Sequence, residues 1–232
     1  MRRESIVVWR GKSALNGAQI QAIVTFASRN AKTGDMAQLW ILPRDVDPRT
    51  AQATGEDAAV CGDCPMRPVN RDKRLEMGHA HGCYVTTYRA PLSTWKASRT
   101  KRASLARAVA AVRGRKLRLG AYGDPAALPE RVVRALCDVA VGWTGYTHSP
   151  NAAPYLRGYV MASAETTLDA MRLQREGWRT FRQGATGSGE VTCPATTHDV
   201  QCADCMLCDG SRVARGTAAH DGRKSVAIGN HR

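Results

Sequence analysis

The chain has 232 residues and a formal net charge of +14, from 34 Lys and Arg against 20 Asp and Glu. Its 43% hydrophobic content supports a core, but the apolar runs are too short for a signal-peptide core or a membrane span. A cytoplasmic protein without a membrane partner is therefore expected. The charge favours a polyanion, with nucleic acid first, and 6% aromatic content argues against an extended single-strand stacking platform.

The runs at 5–9 (SIVVW) and 20–26 (IQAIVTF) are β-branched and apolar, separated by the polar GKSALNGAQ, and read as strands. Residues 38–42 (QLWIL) form another, stopped by Pro43, and 43–60 read as a loop rich in Pro, Asp and Thr. Cys61-Gly62-Asp63-Cys64 follows, then His79, His81 and Cys83. Three thiols at this spacing can hold a metal, or a cluster with one open iron, and the fourth ligand stays open. The alternative is weaker cysteine chemistry beside surface histidines.

Residues 84–89 (YVTTYR) read as a strand. Ser93 then caps a long basic helix, with Trp95, Arg102, Leu105, Val109 and Val112 recurring on one face. Lys96, Arg99, Lys101, Arg102 and Arg107 crowd the rest, and Arg113, Arg115, Lys116 and Arg118 extend the charge. This run is the best phosphate-contacting candidate, set against an ordinary solvated helix face.

From here strands and helices alternate. KLRLGAY (116–122) is a strand ended by Gly123-Asp124-Pro125. A helix opens at Pro129-Glu130 with Val133, Leu136, Cys137 and Ala140 on its apolar face, which makes Cys137 a core residue. Further strands are expected at 142–147, 157–162, 178–182, 190–193 and 225–228, with a helix over 165–176 closed by Gly177. Such alternation implies βαβ units in a single α/β domain over 1–232. A compact or degraded (β/α) barrel with cysteine-rich segments at 61–83 and 193–208 is the first choice, and an open α/β sheet the second.

In parallel sheets, sites form at the C-terminal strand ends. Those ends carry Asp124, His148, Ser163, Glu165, Arg182, Gln183, Asn230 and His231. Asp124, between Gly123 and Pro125, suits a nucleophile or general base, against the plainer reading of a turn aspartate. His148 suits acid–base work. Ser163, Glu165, Arg182 and Asn230 suit substrate contacts, although polar residues at strand ends are also common helix caps.

The last cysteine group is CPATTHDVQCADCMLC. Cys202, Cys205 and Cys208 stand three apart, with Cys193 nine residues upstream beside Pro194. Four thiolates fit tetrahedral zinc, and an iron–sulfur cluster is the alternative metal reading. Disulfides or buried free thiols are the plain alternative, and a reducing compartment disfavours the disulfides.

The combination of the cysteine-rich N-terminal loop, LRLGAYGDPAALP, GYTHS, YVMASAET, GWRTFR and CPA…CADCMLC resembles small bacteriophage-type proteins. These in turn resemble tRNA-guanine transglycosylase-like enzymes that place 7-deazaguanine bases in DNA. The resemblance implies a TIM-type barrel, a structural zinc held by Cys193, Cys202, Cys205 and Cys208, and an aspartate nucleophile, here Asp124. It also implies DNA and a small preQ0-type base as partners, and a host cytoplasm as the location if the chain is phage-encoded. The family's own zinc site has three cysteines and a histidine at another spacing, and a second, general-base aspartate is not identifiable. Two competing readings stand beside this one. The first is a radical-type iron–sulfur enzyme acting on nucleic acid through Cys61, Cys64 and Cys83; the second is a non-catalytic, zinc-dependent nucleic-acid binder. A partner protein supplying missing groups is compatible with each.

Overall fold

The computed structural model describes residues 5–26, 30–78, 82–198, 200–219 and 222–229. Its strands are β1 (Ser5–Lys12), β2 (Gln19–Thr25), β3 (Ala37–Pro43), β4 (Lys116–Tyr122), β5 (Gly142–Thr147), β6 (Met161–Ala164), β7 (Thr180–Gln183), β8 (Glu190–Thr192) and β9 (Ser225–Ile228). They form one sheet in the order β1-β2-β3-β4-β5-β6-β7-β9-β8. The β1–β2 and β2–β3 pairs are antiparallel, and every pair from β3 onward is parallel. The fold is therefore α/β. Among the described residues β1 and β8 remain edges, so the sheet is open and not closed on itself.

β1 and β3 both oppose β2, so they run the same way. Lys12, Pro43, Tyr122, Thr147, Ala164 and Ile228 consequently all leave on one edge of the sheet. That edge carries the chemistry described below.

The helices are α1 (Pro48–Thr54), α2 (Ala58–Cys61), α3 (Arg71–Glu76), α4 (Ala90–Ser98), α5 (Leu105–Val112), α6 (Glu130–Cys137), α7 (Thr167–Arg175), α8 (Pro194–Thr197) and α9 (Cys202–Cys205). Four sequence expectations change here, one being the strand expected at 157–162, which begins only at Met161 because Pro154–Gly158 is a 3-10 helix. The 43–60 stretch is not all loop, because Asp47 caps α1 by accepting the Arg49 and Thr50 N–H groups, and Pro48 sits where its missing N–H costs nothing. Residues 84–89 form no strand and lead by a turn into α4. The single basic helix is two. The chain breaks after Ser98, Ala103 bridges Val7 of β1, and Ser104 caps α5 through the Arg107 N–H.

The main core joins Leu117 and Leu119 of β4, Ala108 and Val112 of α5, and Val132, Val133, Leu136 and Cys137 of α6, all under 2% exposed. A smaller core sets Met161, Cys208 and Val226 against Tyr146, Phe181, Val191, Cys193 and Leu207. The C-terminal cysteine segment thus packs onto the sheet through Cys208 and Leu207. Burying a side chain of this size is worth about 1.5–3 kcal/mol, which gives the segment a packing role whatever else it does.

Candidate active site at the C-terminal edge of the parallel strands

Asp124 follows β4 directly. Gly123 before it has φ 84°, and a Cβ there would lie 2.5 Å from the Ile41 carbonyl oxygen, so only glycine lets β4 turn this tightly against β3. Asp124 is 7% exposed. Its Oδ1 accepts the Ala126 N–H (2.9 Å) and its Oδ2 accepts the His148 N–H (2.8 Å). Burial pushes the Asp124 carboxyl above its usual range, while those N–H groups, the Thr147 hydroxyl and the His148 charge pull the other way. The carboxylate is anchored as well as buried.

His148 leaves the end of β5, and Glu165 leaves the end of β6. Their side chains meet, with His148 Nε2 3.2 Å from Glu165 Oε1. The Cys64 thiol lies near enough to act on the imidazole as well. Burial alone would lower the histidine pKa, but Cys64 and Glu165 override it and hold the ring well above its ordinary value. Three successive parallel strands therefore deliver Asp124, His148 and Glu165 to one place.

The first cysteine motif arrives at the same place from the other side. Val60, just before Cys61, accepts the Asp124 N–H at 2.6 Å. The Cys61 thiol is raised well above its ordinary pKa by burial first, then by Cys64, Asp57, Cys83 and Asp124. Tyr122 lies beside Cys61, and its buried hydroxyl has no oxygen or nitrogen partner. The loop is held by Arg67, which bonds Asp57 Oδ1 through Nε (3.0 Å) and Nη2 (2.7 Å), and the Gly62 and Gly55 carbonyls. Both partners of this ion pair are buried. Arg67→Lys keeps the charge but loses the planar fork. It is expected to destabilise the protein by about 1–3 kcal/mol. A rise in the rate at which Cys61 and Cys64 react with iodoacetamide would report the loosened loop.

A cavity of about 610 Å³ lies beside the sheet, lined by Thr25, Gln38, Trp40, Tyr84, Arg89 and Arg118 among others. Alternation along β3 places Gln38 and Trp40 on one face and Leu39 and Ile41 on the other. Arg118 donates to the Tyr84 hydroxyl (2.6 Å) and Trp40 Nε1 to Thr25 Oγ1 (2.9 Å). The sequence reading missed this lining as a unit, although the polar–apolar alternation of QLWIL was the available signal.

All eight cysteines are free thiols. Cys193, Cys202 and Cys205 lie near enough to help raise Cys208, which burial pushes up to about 12. Among the described residues, however, no three His, Cys, Asp or Glu converge as a metal ion would require. His79 and His81 lie outside the described residues.

The other expected site residues disperse. Arg182 is buried and locked to Glu190 through Nε (2.8 Å) and Nη2 (2.7 Å), so its head group is occupied within the protein. Ser163 is half-buried within β6, opposite Phe181. Asn230 lies outside the described residues. Lys116 opens β4, at the sheet edge opposite Asp124, and approaches Asp204 at 3.6 Å. Arg115 donates to the Ala111 carbonyl and covers Phe26, while Lys101 bonds Ser5. Lys96, Arg99, Arg102, Arg107 and Arg113 are exposed. The basic run therefore divides between two edges of the sheet instead of forming one face, because the chain breaks between α4 and α5.

No protein-family description, curated protein or solved structure matches the chain.

Proposed function

We propose that the protein is a nucleic-acid base-modifying transglycosylase, exchanging guanine in DNA for a 7-deazaguanine base. The observation that carries this reading is the convergence of Asp124, His148 and Glu165 from three consecutive parallel strand ends. Asp124 would attack the anomeric carbon of the sugar, so that the glycosidic bond breaks and its electron pair leaves on the base nitrogen. His148, backed by Glu165, would protonate the departing base and then take the proton of the incoming one. The new base nitrogen would displace the carboxylate, returning Asp124 to its starting state. Two displacements at one carbon retain configuration and need no redox cofactor. The target nucleotide must leave its stack for its anomeric carbon to reach Asp124. On this reading the sequential parallel run from β3 to β7 is that of a TIM-type barrel left open.

The test is incorporation of labelled guanine or 7-deazaguanine into DNA by the purified protein. Incorporation is expected, and failure with every DNA and RNA supplied would overturn the reading.

Zinc on Cys193, Cys202, Cys205 and Cys208 belongs to the same proposal. Four neighbouring thiols are the right donor set, although among the described residues they form no ready metal-holding group, and no step is routed through the metal. Anaerobically purified protein is expected to contain about one zinc per chain and no iron. Cys205→Ser should lower that content at least several-fold, as read by elemental analysis.

A second reading is favoured by the buried Tyr122 hydroxyl, which has no oxygen or nitrogen partner and lies next to Cys61. There, Cys61, Cys64 and Cys83 would hold an iron–sulfur cluster facing Asp124 and His148. Iron with sulfide and a visible charge-transfer band would favour it over the first. A third reading, a non-catalytic zinc-dependent binder of nucleic acid, predicts DNA binding without any exchange.

A further inference from the structure

Three arginines from distant parts of the chain meet where β1 and β3 end. Arg10, in β1, donates through Nη2 to the Ser98 carbonyl (2.8 Å) and through Nε to Gln21 Oε1 (3.3 Å). Arg99, the residue after Ser98, donates through Nη1 to the Arg44 carbonyl (2.9 Å) and stacks 4.8 Å over the Trp95 ring. Arg44 directly follows β3, and its own N–H bonds the Gln19 carbonyl (3.0 Å).

The acceptors that hold Arg10 and Arg99 are neutral. They fix the guanidinium groups in place without cancelling their charge. Asp45 is the acidic side chain here, 3.7 Å from Arg44 Nε in a pair whose members are 45% and 65% exposed. An exposed pair of that kind is weak and screened. Burial, then Arg44 and Arg99, lower the Arg10 pKa against a smaller opposite effect of Asp45, which reflects the crowding of like charge. A surface that holds two guanidinium groups in place next to a third, weakly paired one relieves its own repulsion by taking up an anion.

The location narrows the class of anion. β3 and β4 are parallel neighbours with Trp40 opposite Tyr122, so Arg44 and Asp124 leave adjacent strands on the same edge. Lys12 ends β1 opposite Gln19 and adds a fourth cation there. A single small anion would not need charges arriving from β1, the end of β3 and the end of α4, whereas a chain of phosphates would. Guanidinium groups suit phosphate because their planar forks match its oxygens.

We propose that Arg10, Arg44 and Arg99 grip the phosphate backbone of a nucleic-acid strand and lay it along the rim beside the Asp124 site. This rests on the nucleic-acid reading above but not on base exchange.

The test measures binding of the full-length protein to a fluorescent 20-nucleotide DNA, single-stranded and duplex, over a range of salt. Each phosphate contact contributes about 0.7–0.9 to the slope of log affinity against log salt. Arg10→Gln/Arg44→Gln/Arg99→Gln should therefore reduce the wild-type slope by about 2–3, and Arg44→Gln alone by about 1, the latter at an exposed position that folding tolerates. The control, Arg131→Gln/Arg175→Gln, removes two exposed cations of α6 and α7 and should leave the slope unchanged. A triple-variant slope equal to wild type, or an equal fall in the control, would overturn the grip. Wild-type protein that shows no salt-sensitive binding would overturn both the grip and the nucleic-acid reading. A slope that falls as expected in a protein without exchange activity would uphold the grip and remove the transglycosylase.

Discussion

Asp124→Ala is expected to abolish base exchange, by roughly 10^4-fold or more, as loss of a covalent nucleophile does. The same substitution removes the acceptor of two main-chain donors, at Ala126 and His148. Leaving buried N–H groups unpaired costs about 1–3 kcal/mol each, so the variant should also unfold at lower urea. The two effects separate cleanly. Exchange is measured per folded molecule at a denaturant-free temperature where urea titration shows the variant native, and DNA binding is measured alongside it. Asp124→Asn retains one acceptor oxygen and the side-chain volume, so it should recover part of the stability and none of the exchange. A variant within about tenfold of wild-type exchange would show that the aspartate is a turn anchor and that the nucleophile lies elsewhere. Glu165, paired with His148, and the neighbouring Cys64 would then be the next groups to replace.

The largest stability effect is expected at Glu190. Its carboxylate is 2% exposed and holds the Arg182 guanidinium at 2.8 and 2.7 Å, while also accepting the Gly187 N–H. Arg182 further donates to the Gln183 and Ala185 carbonyls. Glu190→Ala leaves that arginine charged and buried without its partner, which typically costs about 3–5 kcal/mol. β8 is three residues long and, among the described residues, pairs with β9 alone, so besides the packing of Val191 this ion pair is what keeps it on the sheet. Equilibrium urea unfolding would measure the loss. Replacing both partners, as Arg182→Met/Glu190→Leu, should recover most of it, because two apolar groups strand no charge. A Glu190→Ala variant as stable as wild type would mean that Arg182 finds another anion, and would return it to the substrate contacts expected from its strand-end position.

Both expectations depend on partners that no local pattern reveals. Arg182 reads as a rim residue because it stands at a strand end before Gln183-Gly184, and the fold turns it into half of a buried pair. His148 reads as a candidate acid–base residue from its place after GYT, but Cys64, 84 positions earlier, and Glu165 decide what it touches. The basic helix failed in a similar way. Periodicity carried across 99–104 because nothing in that stretch is a strong breaker, while the bridge from Ala103 to Val7 interrupts it from outside the segment.

What the sequence by itself determined is local. Alternating β-branched runs specified most strands, including Ser225–Ile228 to the residue, since side-chain period and turn chemistry act over a few positions. Gly123 before Asp124 and Gly177 after α7 marked turns that only a positive φ satisfies, and the expected core position of Cys137 follows from helical spacing. Tertiary structure alone decided that the sheet stays open and that the first cysteine motif faces Asp124. It also decided that Arg10, Arg44 and Arg99 share one rim. Each depends on strand order and on contacts between residues tens of positions apart, where the free energy of burial and charge pairing is set by which partner arrives and not by the neighbours in the chain.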